Sequence, residues 1–162
     1  MDRKILKKRI RLKDFNYKGQ FRYFVTICVD KNVGQCFNIE NFNIVNKLID
    51  FLRLDSEKYH FLVWTYCFMP DHLHLLVEGK DEYSDFKKFI SSFKQKTGFY
   101  YSKIFNKKLW QTNYYEHILR KDEITQKVVR YILENPARKN LVKDFKDYPF
   151  SGSFVLDIKE IL

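Results

Sequence analysis

Two histidines, His72 and His74, stand two residues apart in the stretch Tyr66 to Gly79, YCFMPDHLHLLVEG. On a β-strand, residues i and i+2 point to the same face. His72 and His74 therefore share a face with Leu76, while Leu73, Leu75 and Val77 feed a core from the other. Two neighbouring imidazoles make two legs of a metal site and leave positions open for a third ligand, water and a substrate oxygen. The same spacing also suits buried neutral histidines that only pack, so the rest of the chain has to decide.

A second pair comes later. Tyr131 and Asn135 are spaced i, i+4 in a helical run, which puts them on nearly one face, one turn apart. Asn135 offers an oxygen ligand, and Tyr131 offers a hydroxyl to a substrate atom held by a metal. Periodicity also allows simpler roles. Tyr131 then edges an apolar stripe, and Asn135 ends a helix before Pro136.

The elements that must position these groups are legible in the hydrophobic pattern. Phe21 to Val29, FRYFVTICV, alternates as a strand. Apolar positions between Ile39 and Leu54 follow helical spacing. His60 to Met69 is a second strand, joined through Pro70 and Asp71 to the histidine strand as a hairpin. Ser84 to Thr97 is a helix, with Ser84 as its cap and Gly98 as its stop. Tyr114 to Arg120 is a fourth strand. Asp122 to Asn135 is a last helix, capped by Asp122 and closed by Pro136. This order predicts an α+β fold, a ferredoxin-like β-α-β-β-α-β antiparallel sheet with helices on one face. The additional C-terminal helix, which carries Tyr131, is free to lie on the open face.

The chain has 162 residues, 30 Lys and Arg against 20 Asp and Glu, and a net charge of +10. Its length suits one domain, and its apolar content excludes a disordered chain. We divide it into a basic arm at 1–16, a single domain at 17–153 and a short tail at 154–162. The charge favours a polyanion, and basic residues beside abundant Tyr and Phe suit single-stranded nucleic acid. Candidate phosphate contacts are Arg3, Lys4, Lys7, Lys8, Arg9 and Arg11 on the arm, and Lys87, Lys88, Lys94 and Lys96 on the polar face of the second helix. The three cysteines imply no disulfide framework. No apolar run is long enough to span a membrane, and the charged N-terminus lacks a signal-peptide core. A cytoplasmic protein with no membrane partner is expected.

Taken together, YFVTICV, MPDHLHLLVEG, FKQKTG, LWQTNYYEHILR, VVRYILENPARKNLV and YPFSGS carry a resemblance. In this order and spacing, over roughly Tyr17 to Ser153, the chain resembles the REP-associated tyrosine transposases. These are a branch of the single-tyrosine HUH transposases similar to insertion sequence 200. The resemblance implies that His72 and His74 bind a divalent metal, Mg²⁺ or Mn²⁺, and that Tyr131 is the catalytic nucleophile. It puts Asn135 where insertion-sequence relatives place a glutamine ligand. His117, in YYEHILR, has no assigned role and is either structural or a hydrogen-bonding support behind the ligands.

The implied substrate is single-stranded DNA with an imperfect hairpin of repetitive extragenic palindrome type. A tyrosine hydroxyl, with a pKa of about 10, is a weak nucleophile at neutral pH, and a metal on the scissile phosphate would compensate. Attack would leave a 5′-phosphotyrosine that a 3′-hydroxyl can reverse. The implied enzyme is a metal-dependent endonuclease and strand transferase, acting as a monomer or homodimer. The composition and fold alone would equally serve a non-catalytic single-strand-binding module. A metal-dependent hydrolase in which water attacks is a third reading.

Overall fold

The computed structural model describes residues 14–120 and 122–160. The order of elements is β1 (Arg22–Cys28), α1 (Phe42–Lys58), β2 (Phe61–Met69), β3 (His72–Gly79), α2 (Phe86–Phe105), β4 (Tyr115–Ile118), α3 (Thr125–Arg138) and β5 (Ser151–Gly152). All sheet pairings are antiparallel, in the order β4-β1-β3-β2-β5. This is the expected α+β, ferredoxin-like sheet, widened by the two-residue β5 beside β2.

The alternation read from the sequence becomes two distinct faces. Tyr23, Val25, Ile27, Leu73, Leu75 and Val77 are fully buried on the first face. There Tyr23 stacks on Phe86 of α2 at 3.9 Å, and Phe61 stacks on Phe89 at 4.8 Å. Aromatic pairs of this kind contribute about 1 kcal/mol each beyond their burial, and they fix α2 on this face. α1 packs beside it. The second face carries Phe24, Thr26, His72, His74 and Leu76, and α3 lies across it, packed on β2 and β3.

β3 is central, hydrogen-bonded to β1 and β2 on its two sides. The histidines are therefore mounted on a strand that cannot shift without breaking two ladders. The hairpin through Pro70 and Asp71 feeds directly into His72, and a bulge between Val63 and Thr65 adjusts the register so that Cys67 lies opposite His74. Gly79 ends the strand where nothing larger fits: a Cβ there would meet the Gly19 carbonyl at 1.9 Å.

The helix limits differ from the sequence reading. α2 is capped by Asp85, whose Oδ1 accepts from the Lys88 amide. Ser84 instead donates to the His60 carbonyl. α2 also runs through Gly98 to Phe105 and ends at Asn106 in the left-handed region. A Cβ at Gly98 would make only ordinary contact with Trp110, at 3.9 Å, so nothing in the packing demands glycine there. α3 begins after Ile124, with no side-chain cap from Asp122, and continues through Pro136 to Arg138. Proline is tolerated there because it costs one amide bond in the last turns, where burial of Ile132, Leu133 and Pro136 holds the helix. Past β5, Phe154, Leu156 and Ile158 pack against the core.

Candidate active site

The imidazoles of His72 and His74 converge. Their Nε2 atoms are 3.1 Å apart. The Asp71 carboxylate accepts from His72 Nδ1 at 2.7 Å, and Thr26 Oγ1 lies 2.9 Å from His74 Nδ1. A carboxylate only accepts, so His72 carries its proton on Nδ1 and presents a lone pair at Nε2. The Thr26 hydroxyl can donate or accept. When it accepts, His74 also turns a lone pair inward.

Two lone pairs 3.1 Å apart fit one cation. With bonds of about 2.1 Å, that separation subtends roughly 95°, close to the right angle between neighbouring ligands of an octahedral ion. A proton is a poor substitute, because burial, then the neighbouring His72 and then Arg138 push His74 down to about 3. Cys67 lies opposite His74, and burial pushes its thiol well up, against a smaller downward pull from Arg138. Among the described residues, no group of three or more His, Cys, Asp or Glu side chains could hold a metal.

α3 brings the second pair of candidates to the same face of the sheet. The ring of Phe24 bridges the two halves, 5.5 Å from His74 and 6.1 Å, edge-on, from Tyr131. Tyr131 is half-buried, and Asn135, one turn on, is buried. A third residue, invisible to the sequence reading, completes the row at i+7. The guanidinium of Arg138 lies 4.4 Å from the centroid of the Tyr131 ring and donates to the Tyr131 carbonyl at 2.5 Å. Glu134 pairs with it at 3.6 Å. Pro136 hid this residue, because it marks a helix end at the sequence level.

The other candidates are placed apart from the histidine pair. Lys87, Lys88, Lys94 and Lys96 sit on α2, on the opposite side of the sheet. Lys87 stands over the Tyr17 ring at 4.7 Å, and Lys94 donates to the carbonyls of Gln111 and Thr112. Lys96 is paired with Asp55 of α1 at 2.5 Å, a carboxylate with no exposure. Its charge therefore holds two helices together. His117, on β4, is bonded to Glu123 at 2.7 Å. The Arg120 amide first, and then His117, hold the Glu123 carboxyl below its usual range, so this cluster shapes the turn into α3. Arg3, Lys4, Lys7, Lys8, Arg9 and Arg11 lie outside the described residues.

An antiparallel sheet with paired histidines on its central strand and a tyrosine helix across them belongs to a DNA-processing class, as comparison with known proteins makes clear. The family described as "Transposase IS200 like" matches residues 20–135. The chain belongs to that family. It is similar to a Haemophilus influenzae protein assigned as a REP-associated tyrosine transposase, 27% identical over 159 residues, covering 89% of this chain and 88% of that protein. It is also similar to the REP-associated tyrosine transposase of Escherichia coli, 31% identical over 87 residues, covering 51% of this chain and 48% of the relative. Among solved structures, a REP-associated tyrosine transposase bound to a REP hairpin shares the fold. Its TM-score is 0.68 and its identity 20%, over 88% of this chain and 82% of the other. No helix among the described residues is long and apolar enough to cross a membrane.

Proposed function

We propose that this transposase-family protein is a metal-dependent single-strand DNA endonuclease and strand transferase. It would cleave and rejoin DNA at hairpin sequences of the REP kind through a 5′-phosphotyrosine on Tyr131. The observation that carries this reading is the convergence of the His72 and His74 Nε2 atoms at 3.1 Å on the sheet face that α3 covers with Tyr131. The hairpin held by the structural neighbour supports the choice of substrate.

Mg²⁺ or Mn²⁺ held by His72 and His74, with Asn135 as an oxygen donor, would supply Lewis acidity at the scissile phosphate. The chain's own groups do the rest. Asp71 and Thr26 fix the two imidazoles, and the Phe24 ring packs against both His74 and Tyr131. Arg138 holds the Tyr131 ring by its face. The Tyr131 oxygen bonds to phosphorus, the bond to the 3′-oxygen breaks, and the phenolic proton is matched by the one the departing 3′-hydroxyl gains. The phosphotyrosine keeps the energy of the broken bond, so a 3′-hydroxyl reverses the step without a nucleotide cofactor. α3 packs on the sheet of its own chain.

A non-catalytic binding module would account for the charge and the fold but gives no role to the converging imidazoles. Covalent trapping of Tyr131 on DNA separates the two readings. It also separates this enzyme from a hydrolase that uses water.

A further inference from the structure

A cleft of about 700 Å³ lies between the C-terminal half of α2 and the segment 106–112. Lys94, Phe99, Lys107, Lys108, Gln111 and Thr112 line it, and no acidic side chain is among its described lining residues. Its wall is built and held. Lys94 Nζ donates to the carbonyls of Gln111 and Thr112 at 2.8 and 2.9 Å, Lys108 Nζ donates to Thr112 Oγ1 at 2.9 Å, and the Trp110 ring nitrogen donates to buried Thr97 at 2.8 Å. Phe99 projects from this frame with 63% of its surface exposed, and Lys103 Nζ stands 5.0 Å from its ring.

The cleft shares one lining residue with a pocket that reaches His72. Gln111 also lines a smaller pocket of about 190 Å³, whose other walls include Cys28, Asp71 and His72. The Gln111 amide donates to the Cys28 carbonyl at 2.9 Å, and its side chain donates to the Val29 carbonyl at 3.1 Å. Cys28 is the register partner of His72. One residue thus stands at the junction of the basic cleft and the end of the histidine strand.

An exposed aromatic ring among ammonium groups fits one ligand chemistry closely. Single-stranded nucleic acid offers phosphates to the lysines and a free base face to the ring, whereas a duplex hides its base faces. We propose that this cleft holds the single-stranded DNA segment flanking the scissile phosphate, running from the His72 pocket over Gln111 to Phe99. The assignment rests on the proposed cleavage at His72, His74 and Tyr131. It adds Phe99, Lys107 and Lys108 as strand contacts.

The test measures binding without chemistry, in a Tyr131→Phe background, so it stands apart from whether the protein cleaves. Anisotropy titrations compare a hairpin oligonucleotide with the same hairpin extended by single strand at the 5′ or the 3′ end. Extension at one end tightens binding. Phe99→Ala and Lys107→Ala/Lys108→Ala each remove most of that gain, about 10-fold for the ring, given roughly 1–3 kcal/mol per stacked base. The double variant also lowers the salt slope on the extended DNA by about 1.4, at roughly 0.7 per single-strand phosphate contact. Hairpin-only binding stays within twofold. An equal loss on the bare hairpin, or no loss on either extension, overturns the assignment. These side chains are on the surface, and circular dichroism checks that each variant is folded.

Discussion

The Nε2 atoms of His72 and His74 face each other at 3.1 Å, each ring held from behind by a different partner, Asp71 and Thr26. Asp71, which only accepts, decides which nitrogen of His72 is free. Asp71→Asn replaces an obligate acceptor with an amide that can present a donor, and so loosens the His72 tautomer. Supporting groups of this kind are worth about 10- to 100-fold in metal affinity. Mn²⁺ titration followed by electron paramagnetic resonance should show that loss for Asp71→Asn and near-complete loss for His72→Ala. Equal affinity in all three proteins would contradict the site.

Acid should destabilise the metal-free protein through His74. The unfolded side chain takes up a proton near pH 6.5, whereas burial, with His72 and Arg138, holds the folded one to about 3. Between these values the unfolded state binds more protons. The contribution to stability is therefore complete above pH 6.5 and is lost as pH falls toward 3, with a slope of about 1.4 kcal/mol per pH unit. Urea titrations in EDTA across that window should show the slope, and His74→Gln should flatten it.

Arg138 should act through Tyr131. The Arg138 side chain is exposed, and a solvated guanidinium on an aromatic face is worth about 0.5–1 kcal/mol, so Arg138→Ala should slow adduct formation at saturating DNA by roughly 2- to 5-fold. Lysine should not restore the rate, since a compact ammonium lacks the flat stacking surface. Added guanidinium should partly rescue Arg138→Ala and do nothing for the wild type. An unchanged rate in Arg138→Ala would remove this role.

Lys96 should matter to folding and little to DNA. Its partner Asp55 is fully buried, and its other carboxylate oxygen has no hydrogen-bond partner. Lys96→Met would strand that charge. A cost of about 3 kcal/mol is expected, at the low end for breaking a buried pair because the lysine is partly exposed. Denaturant midpoints should fall while affinity for hairpin DNA stays the same.

Local pattern carried most of the scaffold, and the reason is visible in particular residues. Tyr23, Val25 and Ile27 alternate because one side of β1 meets α2, and that alternation is written in the sequence. So is the placement of His72 and His74 on one face. Pairings between distant segments were not written there. Lys96 reads from the sequence as a candidate phosphate contact on a polar helix face, because its partner Asp55 lies on another helix. The two residues of β5 offer no periodicity; they pair because Gly152 lets the Tyr66 ring come close. Gly98 and Pro136 were read as helix stops, yet tertiary packing overrides both, and Arg138 came into view only once α3 was seen to extend beyond Pro136.

The most direct measurement is a covalent-trapping gel. Single-stranded oligonucleotides carrying hairpins of the REP kind are incubated with protein and Mn²⁺, denatured and resolved. Wild type should give a slower protein–DNA band that both Tyr131→Phe and His72→Ala lose, while Tyr131→Phe still binds the DNA. Cleaved product without any covalent band, or a band that survives Tyr131→Phe, would contradict attack by Tyr131.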